Sequence, residues 1–422
     1  MTIPHLMPIA MVARRVHPAH GPGGLERHVF ELVTHLAHAG VEIELFSETP
    51  ADETRRELAE RAWPPSVRLH WVPGQWLPIG RQKGTVVLDR ITNYPWWSRR
   101  VARRVLDRRG PSGELPWAVI HVHGLAGLGL AEEAVKGRLR RPMVVTTQGL
   151  EEFRSHLWLK RWAYAPFRAG MRTVAAACDA VVTTDIALMP VVEQHLGIPQ
   201  ASQIVIPNAV DPEAGRRQGD RQRGLEVLDR LGLAEAAPVF LSVGRIESNK
   251  GFTVLASALA MAASQLPASW AWVLVGDGPE RAAVERAVEQ AGLQRHAILA
   301  GRLTDSDLHG LYEVASWFVH PTLYEGSSLV TLEAMAHGLP VVASRTGGLP
   351  DKVHHGVSGF LVPPGDAEAL ATRIKETARI DARAFGEAGR ALCESRFSWS
   401  AVVPQYLALY ERLATTWRVT QA

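Results

Sequence analysis

The chain has 422 residues, of which 46% are hydrophobic and 21% are charged, and its formal net charge is +3. This length is too great for one ordinary core and predicts two domains of a soluble globular protein. The small net charge argues against a nucleic-acid partner, and two cysteines are too few for a disulfide framework. Because no run of about 18 apolar residues is present, we expect a cytoplasmic protein, with peripheral contact at the inner membrane face left open.

Short apolar runs alternate with longer helical patterns along almost the whole chain. This alternation is typical of strand-helix-strand units, which build parallel sheets. The predicted strands of the first half lie within residues 8–14, 41–47, 67–73, 118–124, 142–148, 180–184 and 203–207. The predicted strands of the second half lie within residues 238–244, 270–276, 296–301, 317–321, 340–344 and 359–363.

Between the two halves, residues 207–224 are rich in proline, glycine and charge, and we interpret them as a linker. The predicted domains are therefore 1–206 and 225–395, and a helical segment follows over 396–422. In doubly wound parallel sheets, ligands bind at the carboxyl ends of the strands. Functional residues are therefore expected in the loops that follow strands.

Glycines separate the first predicted strand from the first predicted helix, at Gly21, Gly23 and Gly24. Such glycines let the backbone approach a ligand, and the free amides at a helix start favour an anion. They do not complete the Gly-x-Gly-x-x-Gly pattern of dinucleotide-binding proteins. A tight turn without a ligand explains them equally well.

Two histidines lie in the fourth predicted strand, where His121 and His123 alternate with apolar residues and so point to the same face. His123 ends the strand, where it could bond a substrate or shuttle a proton, whereas core packing is the alternative for His121. No further metal ligand is spaced near the pair. Gln148 and Glu151 follow the next strand and could line the same cleft.

Two basic residues follow the first strand of the second half, in "SVGRIESNKG". Arg245 comes directly after Gly244, and Lys250 precedes a predicted helix. Two cations beside a helix N-terminus repel each other and the helix dipole unless an anion lies between them. A diphosphate would satisfy that requirement, and a solvated basic loop is the alternative.

An Asp-x-Asp pattern at Asp305 and Asp307 could hold a divalent metal ion. Apolar residues at helical spacing follow it directly, so we expect an N-cap at Thr304 or Asp305 with acidic residues in the first helical turn. We therefore predict no metal ion there.

Residues 323–344 contain two carboxylates, Glu325 on the loop after a strand and Glu333 within an apolar pattern. The helix is predicted to start near Ser327 or Ser328, which places Glu333 in its second turn. Free amides at this helix start would form an anion site, made by Gly326, Ser327, Ser328 and Leu329. A buried Glu333 without a partner would cost several kcal/mol, so either ligand hydroxyls or a neighbouring loop must meet it.

Six segments of the chain together resemble the retaining, nucleotide-sugar-dependent glycosyltransferases of family four. They are "GPGGLERHVFELVTHLAHAG", "IPNAVD", "SVGRIESNKG", "LVGDGPE", "HPTLYEGSSLVTLEAMAHGLPVVASRTGGLP" and "RFSWSAVVPQYLALYERL". The resemblance implies an α/β fold of the GT-B type, with two doubly wound, Rossmann-like domains facing across a cleft. The first domain would bind the acceptor and the second the donor, and the C-terminal helix would cross back to the first.

The resemblance also implies roles for individual residues. Arg245 and Lys250 would bind the donor diphosphate, Glu325 would contact the transferred sugar, and Glu333 would hold the ribose hydroxyls. His123 would lie beside the sugar, so the predicted catalytic set is His123, Arg245, Lys250 and Glu325. The backbone would contribute the remaining contacts, to the phosphates from Gly23, Gly24 and Gly244 and to the nucleobase from Gly301, Arg302 and Leu303. The family commonly has a histidine at the position of Gln148, so the acceptor side departs from the pattern.

The activity implied by the resemblance is transfer of a sugar from a nucleoside-diphosphate sugar to a hydroxyl group of a glycan, a lipid-linked acceptor or a small molecule. Retention by front-face attack is expected, without a metal ion or another cofactor. Tryptophans and arginines in 93–109 and 156–172 allow a membrane-proximal acceptor. The alternatives are a nucleotide-sugar 2-epimerase of the same fold, a nicotinamide-dependent oxidoreductase and a non-catalytic sugar-nucleotide binding protein.

Overall fold

The computed structural model of the protein describes residues 7–21, 23–75, 77, 86–147, 150, 153 and 162–421. They fall into two compact units, the first within 1–207 and 402–422 and the second within 208–401. Each unit contains one parallel sheet with helices packed against it. None of the helices in these ranges has an apolar stretch long enough to cross a bilayer.

The first sheet has the strand order β3-β2-β1-β4-β5-β6-β7, and all neighbouring strands are parallel. Its strands overlap the seven that the sequence predicts in this half. They are β1 (Ile9–Val12), β2 (Ile43–Glu48), β3 (Val67–Val72), β4 (Val119–His123), β5 (Met143–Thr147), β6 (Ala180–Thr183) and β7 (Gln203–Val205).

The helices of the first unit include several that bury an apolar face, as the residues Val29, Leu32 and Leu36 do in the first of them. They are α1 (Gly24–His38), α2 (Glu53–Arg61), α3 (Val86–Ile91), α4 (Asn93–Leu106), α5 (Leu128–Val135), α6 (Ala165–Ala177) and α7 (Met189–Leu196). In α4, Trp97 is fully buried and its indole N–H donates to Val72 O at 3.1 Å. Trp97 is therefore a core residue.

The second sheet has the order β10-β9-β8-β11-β12-β13 and is also parallel throughout. Its strands overlap the six predicted in this half, so the prediction of two doubly wound parallel sheets is confirmed. They are β8 (Val239–Val243), β9 (Ala271–Val275), β10 (Ala297–Gly301), β11 (Trp317–His320), β12 (Val341–Ser344) and β13 (Gly359–Val362). Successive residues of β8 face opposite sides of the sheet. Phe240 packs in one hydrophobic core and Leu241 packs in the other.

Helices of the second unit cover both cores. They are α8 (Pro212–Gln218), α9 (Arg221–Arg230), α10 (Phe252–Ala262), α11 (Arg281–Gln290), α12 (Asp305–Val314), α13 (Leu329–Ala336), α14 (Leu349–Lys352), α15 (Ala367–Thr377) and α16 (Arg383–Arg396). The last helix is α17 (Trp399–Gln421), close to the helix predicted over 396–422. The part of α17 from Val402 onward groups with the first unit, where Tyr410 Oη lies 2.7 Å from His121 Nδ1.

The interpretation of 207–224 as a linker is wrong. Most of this segment is helical, in α8 and the start of α9, and residues from 208 onward belong to the second unit. The glycine at Gly224 allows close helix packing, because a β-carbon there would lie 2.1 Å from the carbonyl oxygen of Gly310 in α12. The charged Asp220 caps α9, since its Oδ1 accepts from Gln222 N at 2.9 Å.

Candidate active site

The strand order of the second sheet reverses between β8 and β11, which places the carboxyl ends of these two strands side by side. This is the point at which doubly wound sheets bind ligands. Hydrogen bonds join the two loops that follow. Asn249 O accepts from Leu323 N at 2.7 Å and from Thr322 Oγ1 at 2.9 Å, so the loops form one surface.

Glycines allow these loops to touch. Gly251 has φ +67°, and a β-carbon there would lie 2.2 Å from the carbonyl oxygen of Pro321. Gly347, with φ +53°, approaches from the turn after β12, where a β-carbon would lie 1.7 Å from Glu325 O. Only glycine adopts these angles without strain at such distances. The backbone around Glu325 is thus held from two sides.

Lys250 and Glu325 form the central ion pair of this surface. Lys250 Nζ donates to Glu325 Oε2 at 2.6 Å, and His320 Nε2, at the end of β11, lies 2.7 Å from the same oxygen. The side chains of Lys250 and Glu325 are only 18% and 13% exposed. Burial alone would raise the pKa of Glu325, but the hydrogen bond with His320 and the charge of Lys250 outweigh it and lower that pKa to about 2. Glu325 is therefore ionised at neutral pH.

Arg245 lies on the same loop but is far more exposed. Its side chain is 70% exposed, and its Nε lies 3.0 Å from Glu247 Oε1. The argument that Arg245 and Lys250 require an anion between them is therefore wrong as stated, because each cation has its own carboxylate partner in the chain. The two remain near one helix N-terminus, that of α10.

The helix α13 begins at Leu329, as predicted, and Ser328 is its N-cap. Ser328 Oγ accepts from Thr331 N at 3.4 Å, and the amides that precede it stand at the helix start. Lys352 is fully buried beneath this turn and donates to Ser327 Oγ at 3.1 Å and to Gly348 O at 3.3 Å. A buried lysine side chain thus holds the turn that carries the predicted amide site, Gly326, Ser327, Ser328 and Leu329.

Glu333 lies in the second turn of α13 and is half-buried. From the sequence, ligand hydroxyls or a neighbouring loop are the expected partners of Glu333, and the structure provides a partner from the chain itself. Tyr312 Oη, on α12, donates to Glu333 Oε2 at 3.2 Å. A residue of another helix is thus one partner of this carboxylate.

The residues predicted to meet a nucleobase are the last residue of β10 and the two that follow it. Gly301 has φ +71° and its carbonyl oxygen accepts from Gly276 N at 2.8 Å, while Arg302 is exposed and Leu303 half-buried. The next residue, Thr304, is the N-cap of α12, as predicted.

Asp307, in the first turn of α12, is held by two arginines. Its carboxylate lies 2.6 Å from Arg223 Nε and 3.1 Å from Arg230 Nη2. Burial would raise the pKa of Asp307, but the hydrogen bonds from these arginines lower it. Across the described ranges, no group of three or more His, Cys, Asp or Glu side chains is placed to hold a metal ion.

In the first unit, Gly23 caps α1 and Gly24 is its first residue, and both are exposed. His123 ends β4 but is buried, with its ring stacked on His121 at 4.7 Å and its Nε2 3.3 Å from Met11 Sδ. Burial, and then the neighbouring histidines, hold the pKa of His123 well below its usual value. His123 is therefore uncharged at neutral pH, which favours hydrogen bonding over proton shuttling.

His121 packs in the core, which is the role that was considered for it as the alternative to a functional one. Its Nδ1 lies 2.7 Å from Tyr410 Oη, and its Nε2 lies 2.7 Å from Thr146 Oγ1. Within the described part of the chain, His123 Nδ1 has no hydrogen-bond partner. Gln148 and Glu151, the predicted acceptor-side residues, lie outside the described residues.

Three side chains at this site were not among the predicted residues: His320, Tyr312 and Lys352. His320 ends a strand in the same way as His123, so the same rule could have identified it. Tyr312 and Lys352 carry no comparable local signal, because their contacts join separate helices and loops.

Residues 22–214 match the family described as Glycosyltransferase Family 4, and residues 237–379 match Glycosyl transferases group 1. Alpha-maltose-1-phosphate synthase of Mycobacterium tuberculosis is 30% identical over 290 residues, which are 64% of this chain and 73% of that protein.

Two solved structures share the architecture. Sucrose-phosphate synthase from Thermosynechococcus elongatus has a TM-score of 0.75 and 23% identity, over 97% of this chain and 100% of that chain. HepE from Anabaena, solved in complex with UDP-glucose, has a TM-score of 0.72 and 20% identity, over 96% of this chain and 100% of that chain. Together with the two parallel sheets, these matches define an enzyme with the GT-B fold of glycosyltransferases. The chain belongs to glycosyltransferase family 4.

Proposed function

We propose that this glycosyltransferase uses a nucleoside-diphosphate sugar as donor and transfers the sugar to a hydroxyl group with retention of configuration. The observation that carries the proposal is the Lys250–Glu325 ion pair at the adjoining ends of β8 and β11, beside the start of α13. The structurally similar HepE was solved with UDP-glucose, which supports the same class of donor.

The donor diphosphate is the leaving group, and its negative charge grows as the bond to the sugar breaks. Lys250, Arg245 and the amides of 326–329 are the groups that stabilise this charge. Because they belong to loops that are hydrogen-bonded together, they need little reorganisation during the reaction. This is the reason to propose a reaction that needs no metal ion.

Glu325 is proposed to contact the transferred sugar. With a pKa of about 2, it cannot donate a proton at neutral pH, so it accepts hydrogen bonds from the sugar and orients Lys250. A negative charge near the reacting carbon also stabilises the positive charge that the carbon gains in the transition state.

Retention is proposed to occur by front-face attack. Double displacement would use a carboxylate as nucleophile, as in retaining glycosidases. Glu325 is held by Lys250 and His320, and Glu333 is assigned to the ribose, so neither is suited to that role. In the proposed step, the bond from the anomeric carbon to the phosphate oxygen breaks. The bond to the acceptor oxygen forms, and the acceptor proton moves to the leaving phosphate.

The remaining donor contacts are proposed from the family resemblance. Glu333 is proposed to bind the ribose hydroxyls, and the backbone of 301–303 is proposed to meet the nucleobase. The acceptor is a glycan, a lipid-linked sugar or a small molecule that binds the first domain. Peripheral contact with the inner membrane face, through the arginines of α4, belongs to the same proposal.

A thermal-shift panel of nucleoside diphosphates and their sugars tests the donor class. We expect one nucleotide and its sugar to raise the melting temperature by several degrees in buffer with EDTA, because a ligand that binds only the folded state stabilises it. The proton NMR spectrum of the product made with that donor should then show the anomeric configuration of the donor. If no nucleoside diphosphate or sugar nucleotide stabilises the protein, the proposal fails. Release of diphosphate only after an acceptor is added would exclude the epimerase.

A further inference from the structure

A tyrosine lies behind the carboxylate that the proposed function assigns to the ribose. Tyr312 is buried in the core of the second unit, and its hydroxyl donates to Glu333 Oε2 at 3.2 Å. A hydrogen bond to an ionised carboxylate favours its charged form and limits its rotation. The position of Glu333 therefore depends on the position of the Tyr312 ring.

The Tyr312 ring is held by two histidines. It stacks on His337 with ring centroids 5.4 Å apart at 21°, and it meets His309 in a T-shaped contact with ring centroids 5.9 Å apart at 63°. His309 Nδ1 and His337 Nε2 are 2.8 Å apart. Both rings are buried, so the two histidines form a fixed surface for the tyrosine.

Both nitrogens of His337 have partners. On the other side of the ring, Nδ1 donates to Glu313 Oε1 at 2.5 Å, and this hydrogen bond lowers the pKa of Glu313. Rotation of the His337 ring would break both contacts. Helix α8 closes over the pair at Gly215, where a β-carbon would lie 3.3 Å from His309 and 3.4 Å from His337.

We propose that Tyr312 is a positioning residue, which holds Glu333 in the orientation that accepts hydrogen bonds from the ribose hydroxyls of the donor. The inference rests on the proposed function and adds a determinant of selectivity for ribonucleotides. A carboxylate that is fixed before the ligand arrives loses less conformational freedom on binding, so its hydrogen bonds contribute more to affinity.

The test compares ligands that differ by one hydroxyl group. Dissociation constants are measured by calorimetry for the preferred nucleoside diphosphate and for its 2′-deoxy and 3′-deoxy forms, with the wild type and Tyr312→Phe. We expect the wild type to bind the ribonucleotide about tenfold more tightly than at least one deoxy form. Tyr312→Phe should lose most of this preference, by weaker binding of the ribonucleotide and unchanged binding of that deoxy form. In turnover, the donor KM should rise while kcat stays within about threefold.

Tyr410→Phe is the matched control, because it removes another buried tyrosine hydroxyl, in the first unit. The ribose preference should stay unchanged in this variant. In a double-mutant cycle, adding Tyr312→Phe to Glu333→Gln should cost no further preference, because the tyrosine acts through the carboxylate. If Tyr312→Phe does not fold, the more exposed Glu313→Gln replaces it and should reduce the preference about twofold.

The outcomes separate the inference from the function on which it rests. Equal loss of affinity for ribo and deoxy ligands in Tyr312→Phe would assign Tyr312 a merely structural role and overturn the inference. An unchanged preference in that variant, or in Glu313→Gln where it is the substitute, would do the same. If the wild type itself does not distinguish the ligands, the assignment of Glu333 to the ribose fails, and the inference that rests on it fails as well.

Discussion

The two sheets have the same strand order around the point where it reverses, yet different side chains occupy that point. In the first unit, β4 ends in His121 and His123, which are buried and uncharged. In the second, β11 ends in His320, which contacts the ionised Glu325 and, through it, Lys250. The shared topology determines where chemistry can occur, and the side chains determine its kind.

The two groups of side chains differ in their charge when they are buried. The histidines of the first unit give up their protons, because desolvation disfavours the charged imidazole. Glu325 keeps its charge, because the hydrogen bond with His320 and the charge of Lys250, whose Nζ lies 2.6 Å away, outweigh its burial. The second edge therefore carries an ion pair, whereas the first carries uncharged imidazoles.

The largest expected effect comes from removing the lysine of the ion pair that distinguishes the second edge from the first. Lys250→Ala should reduce kcat by about 10² to 10³-fold, because it removes a preorganised cation from the leaving diphosphate. Sugar transfer with a saturating donor measures the change. Lys136→Ala, at an exposed surface lysine, is the control and should retain wild-type activity. Activity of Lys250→Ala within threefold of the wild type would contradict the assigned role.

A smaller effect should appear in the pH dependence of stability. Burial lowers the pKa of His28 to about 4, so the unfolded chain takes up this proton first. The contribution of His28 is complete above about pH 6.5 and is lost as the pH falls toward 4. Between pH 7 and 5, His28 should account for about 2 kcal/mol of lost unfolding free energy. Urea unfolding of the wild type and of His28→Leu at both values measures it.

Glu325→Gln is the contrasting control for that experiment. The pKa of Glu325 lies at about 2 in the folded protein, so its contribution persists above about pH 4.5 and is lost only as the pH falls toward 2. The stability difference between the wild type and Glu325→Gln should therefore stay constant from pH 7 to 5. Acid sensitivity in this range that persists in full in His28→Leu would count against the comparison.

The smallest expected effect concerns the C-terminal helix. Tyr410→Phe should lower the unfolding free energy by about 1 to 2 kcal/mol, because His121 Nδ1 loses its partner in a buried position. Urea unfolding at pH 7 measures the loss. Thr415→Ala, an exposed substitution on the same helix, should change stability by less than about 0.5 kcal/mol. A Tyr410→Phe variant as stable as the wild type would show that the contact contributes nothing.

The strands could be predicted from the sequence because their signal is local. Each buried strand is a short apolar run bounded by turn residues, and the described strands of both sheets overlap the predicted ones. The segment 207–224 was misread for the opposite reason. Its glycines and charged residues have the composition of a linker. In the structure, however, Gly224 allows close packing between helices, and Asp220 caps a helix.

The site was predictable only in part. Loop position identified Lys250 and Glu325 as candidates, but not that they pair with each other, since 75 residues separate them in the chain. The same limit applies to Lys352 beneath Ser327 and to Tyr312 behind Glu333. Side-chain partners across separate elements depend on tertiary packing, which no local pattern encodes.

The contact between Gly347 and Glu325 has a consequence for how sequence variation at this site should be interpreted. A β-carbon at Gly347 would meet the Glu325 carbonyl oxygen at 1.7 Å, so even alanine would displace the backbone that carries the carboxylate. A Gly347→Ala variant would keep every polar group of the site and still move its central one. One of the least replaceable positions is therefore a residue that offers no functional group at all.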